Sequence, residues 1–393
     1  MSAHANPDII DDNLVFMYDT DDGKSYKGEP TVNLITNSGT SNTGWVGYGW
    51  TGSQAISSDY SNTYEFTATN GWHNRTFDTG VTSGGTIYVS FQYKLKQQQT
   101  TQNQIFVLNG THLGSYTNYI GNGSMSFEWQ TFSGSFTANA NSSKIAIGPR
   151  GQDSSGLTDI VYIRNLQVEQ KPHATQFVNG TRSATQGLID RTGTSTINIS
   201  NVSFDSNAQI TFDGTDDYSV IPYASTDLDG DAIFSVEAVI KRTGTMSNGG
   251  IWGIGEGTQA GINGYVFASS PNKISIDLWG TATFHTGVDY PLNKHVHVTW
   301  VKTTTGFSTS TIVIYVNGVA YTGSDLTVMR GTSHTPNLNT STTGKGIVIG
   351  RVGATTNSYY AQGEVPILKV YNRALTAAEA LQNFNATKSR FGL

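Results

Sequence analysis

The 393-residue chain has no cysteine, which excludes disulfides and thiol chemistry and limits any zinc site to histidine and carboxylate ligands. Charge is scarce too: Asp, Glu, Lys and Arg make up 13% of residues, about half the usual share for a soluble domain. The formal net charge is −6, so there is no basic field for a phosphate backbone, and nucleic acid is not an expected partner. No apolar run approaches the roughly 20 residues that cross a bilayer, so no membrane association is expected. The opening "MSAHANPDIIDDN" lacks both a basic and an apolar segment, and no secretory signal is expected in it.

Glycine (44 residues), serine, threonine and asparagine take the place of charge, alongside 19 tyrosines and 17 phenylalanines. Aromatics spread along the whole length argue for packed structure over disorder. Strand-like runs such as "TIYVSFQYKL", "IVYIRNLQV", "FSVEAVIKR", "HVHVTWVK" and "ILKVYN" recur between Gly/Asn/Ser/Asp clusters, with no helical period between them. That pattern indicates antiparallel sandwiches, not alternating strand and helix. Asn317-Gly318 in "IYVNGVAY" suits a type I′ hairpin turn. One helix is expected, at the C-terminus, with Ala374, Ala377, Ala378, Leu381 and Phe384 as its apolar face and Thr376/Glu379 as a capping box. It is expected to cover one end of a sandwich. The fold class is therefore all-β: two antiparallel β-sandwich (jelly-roll) domains with one C-terminal helix. The stretch at 169–186 has no alternation and contains a proline, and reads as the passage from one domain to the next.

Several of these runs carry a resemblance. "ITFDGTDDYSVIP", "FSVEAVIKRTG", "HVHVTWVK", "IVIYVNGVAY" and the tail "GEVPILKVYNRALTAAEALQNFNATKSRF" resemble, in that order, the laminin-G-like, concanavalin A-like jelly rolls found in bacteriophage and bacterial surface proteins. Residues 31–172, bracketed by "NLITNSGTSNTGW" and "DIVYIRNLQVEQKPHATQFVNGTR", are similar to jelly rolls of the carbohydrate-binding-module type. In laminin-G-like phage proteins a strand and turn similar to "LVFMYDTDDGKSYKG" is soon followed by something like "GLIDRTGTSTINISNVSF"; here residues 31–186 separate the two. The resemblance implies a discontinuous domain, 1–30 plus 173–393, with the 31–172 module inserted at an exposed turn.

Candidate sites follow from residue type and spacing. No glutamate is followed two residues later by aspartate, the arrangement that puts acid and nucleophile on one face of a glucanase strand, and the expectation is a protein that is not an enzyme. Asp227, Asp229 and Asp231 alternate as Ca2+ ligands do, but the bidentate glutamate and flanking helices of an EF-hand are missing, so a polar turn is the favoured reading beside calcium. Asp213, Asp216 and Asp217 read as turn formers. His295 and His297 share a strand face without a third metal ligand, and read as structural. Trp45, Tyr48, Trp50 and Trp72 crowd the start of the inserted module, where they serve either as core or as carbohydrate-binding platforms that stack on sugar rings.

The function expected from the resemblance is a bacteriophage virion structural protein, a head decoration or a fibre or tail appendage, assembled in the host cytoplasm. Its expected partners are other virion proteins, further copies of itself in a homo-oligomer, and host surface glycans. A bacterial surface adhesion protein and a glycan-degrading enzyme are the alternatives.

Overall fold

In the computed structural model, residues 8–35, 38–41, 45–48, 53–68, 70–98, 104–109, 116–120, 125–138, 144–152, 159–221, 228–246, 248–266, 269–341, 346–353 and 359–393 are described. The chain divides into two compact units. The first comprises residues 1–29, 184–205 and 209–393, and the second residues 30–183 with 206–208.

The first unit is a sandwich of two large antiparallel sheets. One runs in the order Ser203–Phe204, Ile210–Asp213, Gln362–Tyr371, Phe234–Arg242, His295–Lys302, Ile312–Val316, Val319–Thr322. The strand Leu14–Asp19 also pairs with Gln362–Tyr371, with Leu14 opposite Tyr371 and Asp19 opposite Ile367. Its alternation buries Phe16 and Tyr18, and Tyr18 donates to the Val365 carbonyl at 2.7 Å. The second sheet holds Ser219–Ile221, Ile347–Ile349, Gly249–Gly255, Gly261–Val266, Lys273–Leu278, Ala282–Asp289 and Thr327–Arg330. Inward-facing Trp252 and Trp300 meet edge to face, 5.4 Å between centroids, and the Trp300 indole donates to the Ser275 carbonyl. Such a pair adds about 1 kcal/mol beyond the area it buries. The turn at Asn317-Gly318 has both residues at positive φ (49° and 80°), as a type I′ hairpin requires.

The helix Ala377–Phe391 begins at the expected capping box: Glu379 N–H donates to Thr376 Oγ1, and Thr376 N–H to the Glu379 carboxylate. Its position and buried stripe differ from expectation. It lies on the face of a sheet, not across an end, and buries Ala380, Asn383 and Thr387 while Ala377, Ala378 and Leu381 stay exposed. The reason is polar. Glu237, fully buried, lies 2.6 Å from Lys369 Nζ and 3.2 Å from His297 Nε2, and accepts from Asn383 Nδ2 at 2.6 Å. A buried carboxylate needs every one of these partners, so the helix turns its amide to the sheet and gives up apolar contact. His297 also packs against Phe384, and His295 against Phe391, which places both histidines under the helix.

In the second unit the strand Thr86–Gln97 alternates buried and outward residues along its length. It lies in a five-stranded sheet with Gln130–Thr137, Asp159–Glu169, Thr63–Ala68 and Ser53–Ile56. A second five-stranded sheet contains Trp45–Tyr48, Asn70–Asp78, Lys144–Gln152, Gln104–Asn109 and Tyr116–Ile120. Tyr64, Phe66, Ile87, Val89, Ile105, Val161 and Ile163 are among its buried core. The segment read as a passage between domains is held by side chains of this unit. Glu169, fully buried, accepts from Thr31 and Thr175, and Arg182 donates to the carbonyls of Gln176 and Phe177.

Candidate functional site

In the first unit, residues 350–353 are drawn hard against their neighbours by glycine. A Cβ on Gly250 would lie 2.3 Å from the Val352 nitrogen, and one on Gly350 (φ 85°) 2.3 Å from the Phe212 ring. A bridge joins Arg351 to Tyr360, and Gly250 N–H donates to the Tyr359 carbonyl at 2.8 Å. Tyr359 itself sits at φ 63°, which for a bulky residue costs on the order of 1 kcal/mol or more. Its ring packs edge-on against Tyr265 (6.1 Å) and lies tilted against Trp279 (5.6 Å).

Two adjoining depressions open here and share Tyr360. The larger, about 520 Å³, is lined by Asn201, Asp216, Asp217 and Tyr218, and the smaller, about 360 Å³, by Asn248, Tyr359 and Gln362. The Tyr218 and Tyr360 rings are 6.4 Å apart, and the buried Arg351 guanidinium lies 3.6 Å over the Tyr218 ring. Asn248 accepts from the Tyr265 hydroxyl at 2.8 Å, which fixes the amide that faces the smaller depression. The result is a groove with aromatic walls and amide and carboxylate groups between them, the make-up of a site for a neutral, hydroxyl-rich ligand.

The acidic turn behind it is built from its own backbone. Asp213 accepts from Thr215 N–H at 2.7 Å, and Asp217 accepts from Asp213 N–H at 2.8 Å and from Ser203 Oγ. Burial pushes the Asp217 carboxyl above its ordinary range. Oxygens of Asp213, Asp216 and Asp217 come within 4.8 Å of one another and are the residues that could hold a cation. Next to Tyr265 on the same sheet lies another buried acid, Asp277, bonded to Thr283 Oγ1 at 2.6 Å. Burial raises its pKa to about 6 against the pull of Thr283 and Arg330.

Of the residues singled out in the sequence, Asp227 and Trp50 lie outside the described residues. Asp229 and Asp231 have separate partners: Asp229 accepts from Thr340 Oγ1 and Ser341, and Asp231 pairs with Lys302 at 2.8 Å and takes Gly306 N–H. The strands Trp45–Tyr48 and Asn70–Asp78 are neighbours, with Tyr48 in register with Trp72 and Trp45 with Arg75. Sequence reading missed Tyr218, Tyr359 and Tyr360. The one local signal was a tyrosine pair in "NSYYAQ", a non-alternating stretch between two strands.

Comparison with known proteins agrees with this architecture. Residues 213–380 match the concanavalin A-like lectin/glucanases superfamily, and this part of the chain is a lectin/glucanase-like jelly roll. No curated protein matches the chain. Among solved structures, domain 4 of an extracellular arabinanase from Geobacillus stearothermophilus, in complex with arabinotriose, aligns at 13% identity and a TM-score of 0.36, over 51% of this chain and 92% of that one. A Trypanosoma rangeli sialidase aligns at 15% identity and a TM-score of 0.36, over 59% of this chain and 41% of its own length. The expectation that the chain is not an enzyme is withdrawn, because the solved structures it aligns with include an arabinanase domain and a sialidase. At such identity and TM-score the likeness neither assigns nor denies turnover. The sequence test for paired carboxylates two apart on one strand does not address an arrangement such as Asp213, Asp216 and Asp217, which a turn brings together.

Proposed function

We propose that the protein binds carbohydrate in the tyrosine-lined groove of its first unit. The carrying observation is the pair of depressions that share Tyr360, with Tyr218 and Tyr359 on their walls and Asn201, Asp216, Asn248 and Gln362 between. Aromatic faces stack on the apolar faces of sugar rings, while amides and carboxylates take the hydroxyls. With this goes a placement: a structural component of a bacteriophage particle, as head decoration or as part of a fibre or tail appendage. Its partners would be other virion proteins and copies of itself, and its ligands host surface glycans. Support for the placement is the resemblance carried by "LVFMYDTDDGKSYKG" and the tail at 363–391. Single sugar sites are weak, and many copies on one particle would make them effective. A bacterial surface adhesion protein is the second reading, favoured by the same groove.

A glycan array probed with the full chain tests the binding. Wild type is expected to give defined hits that a Tyr218→Ala/Tyr360→Ala double variant loses by about tenfold or more. Absence of any hit counts against the reading. Mass spectrometry of purified virions tests the placement, and a chain found only on bacterial surfaces would turn it to the second reading.

A further inference from the structure

A different group of rings and charges stands on the outer face of the five-stranded sheet in the second unit. On the strand Asp159–Glu169, Val161 and Ile163 point into the core, so Tyr162 and Arg164 project from the opposite face, where Tyr162 is itself covered. Tyr162 is in register with Lys94 on one neighbouring strand and Glu65 on the other, and Arg164 with Gln92. Tyr60 and Trp129 complete the cluster from the loops: Tyr60 lies 5.3 Å from Trp129 and 5.4 Å from Tyr162, edge to face in both cases.

Three cations sit among these rings, and they are used differently. Lys96 is saturated, 3.0 Å from Asp59 and 3.2 Å from Glu65. Lys94 Nζ is held 4.6 Å from the Tyr60 centroid and 5.0 Å from that of Trp129, and donates to the Tyr60 hydroxyl at 2.9 Å. The Arg164 guanidinium lies 3.7 Å over Trp129 and spends its Nε–H on Gln92 at 2.8 Å. Among the described residues neither Lys94 nor Arg164 has a carboxylate partner. Rings and neutral oxygens hold these two charges in place. Ring contact fixes a cation without neutralising it, so its remaining N–H groups stay able to grip an anion.

We propose that this face is a second binding site, separate from the tyrosine groove, for a glycan that carries carboxylate groups, such as a uronic or sialic acid polymer. Lys94 and Arg164 take the sugar carboxylate, and the rims of Tyr60 and Trp129 take the ring. Glu65, one strand away, and Asp59, in the loop before that strand, accept sugar hydroxyls. The rings decide the class of ligand, since they suit the apolar face of a sugar ring, which an acidic peptide side chain lacks.

The full chain can be tested by affinity electrophoresis against polygalacturonate, alginate and polysialic acid, with methyl-esterified polygalacturonate and polyglutamate beside them. Wild type is expected to be retarded by at least one acidic glycan, more weakly as salt rises, and far less by the ester or polyglutamate. Lys94→Gln/Arg164→Gln should lower that affinity about tenfold or more, while Lys96→Gln leaves it within about twofold. The Tyr218→Ala/Tyr360→Ala chain should bind the acidic glycan as wild type does, which separates failure here from failure of the groove. The proposal is overturned by no retardation in any acidic glycan, by equal binding of ester or polyglutamate, or by a folded double variant that binds normally. Should that variant not fold, the ester and salt comparisons on wild type decide alone.

Discussion

Glu237 and Asp277 are both buried carboxylates on sheets of the first unit, and they have come to opposite ends of the titration range. Burial alone would raise both. At Glu237 the charges of Lys369 and His297 outweigh burial and bring the pKa down to about 2. At Asp277 the close partner is the Thr283 hydroxyl, so burial wins and the pKa is pushed up to about 6. The lesson is one of location. Charge opposite charge was placed where a helix seals the sheet, and an acid that ionises only with difficulty was placed one strand from Tyr265. The first arrangement serves the fold, whereas groups strongly perturbed by burial are more often found at binding and reaction sites.

The comparison breaks most visibly at Glu237. Glu237→Gln leaves Lys369 buried without its counter-charge, and a loss of about 3 kcal/mol or more is expected in chemical denaturation of the first unit. Asp277→Asn should do the reverse. The wild-type acid must ionise in a poor environment above pH 6, so the variant is expected to gain about 1 kcal/mol at pH 8 and nothing at pH 3.5. A variant that loses stability equally at both pH values would show that Asp277 works only through its hydrogen bonds.

Acid sharpens the contrast, because the two groups act with opposite sign. The folded pKa of Glu237 lies below its ordinary 4.5, so its contribution is present above that pH and lost as pH falls from about 4.5 towards 2. The folded pKa of Asp277 lies above its ordinary 3.8, so its contribution is present below that and lost as pH rises through about 6. Denaturant midpoints measured from pH 2.5 to 8 should show both limbs, the acid limb vanishing in Glu237→Gln and the neutral one in Asp277→Asn. The smallest effect is expected from Thr376→Ala, which removes the cap of the helix over Glu237 at a cost of about 1 kcal/mol without moving either limb.

What could be read from sequence was whatever is settled locally. The type I′ turn at Asn317-Gly318 and the capping box at Thr376 and Glu379 each need only a few adjacent residues, and Asp213 and Asp217 do bond the amides of their own turn. The helix face was misread because Asn383 is drawn inward by Glu237, 146 residues away, a demand no helical period records. The groove was equally hidden. Tyr218 and Tyr360 meet only after two strands pair and two glycines let a segment close in. Composition likewise cannot tell Lys96, which is neutralised, from Lys94, which is not.

The central claim, that the tyrosine groove binds sugar, is tested most directly by titration calorimetry of one array-selected glycan into the wild-type full chain and into the Tyr218→Ala/Tyr360→Ala variant. Equal folding of the two chains would first be established by their denaturant midpoints. The account predicts saturable binding by wild type and an affinity lower by about tenfold or more in the variant, the loss of roughly one stacked ring or more. Equal affinity in the two proteins would contradict it.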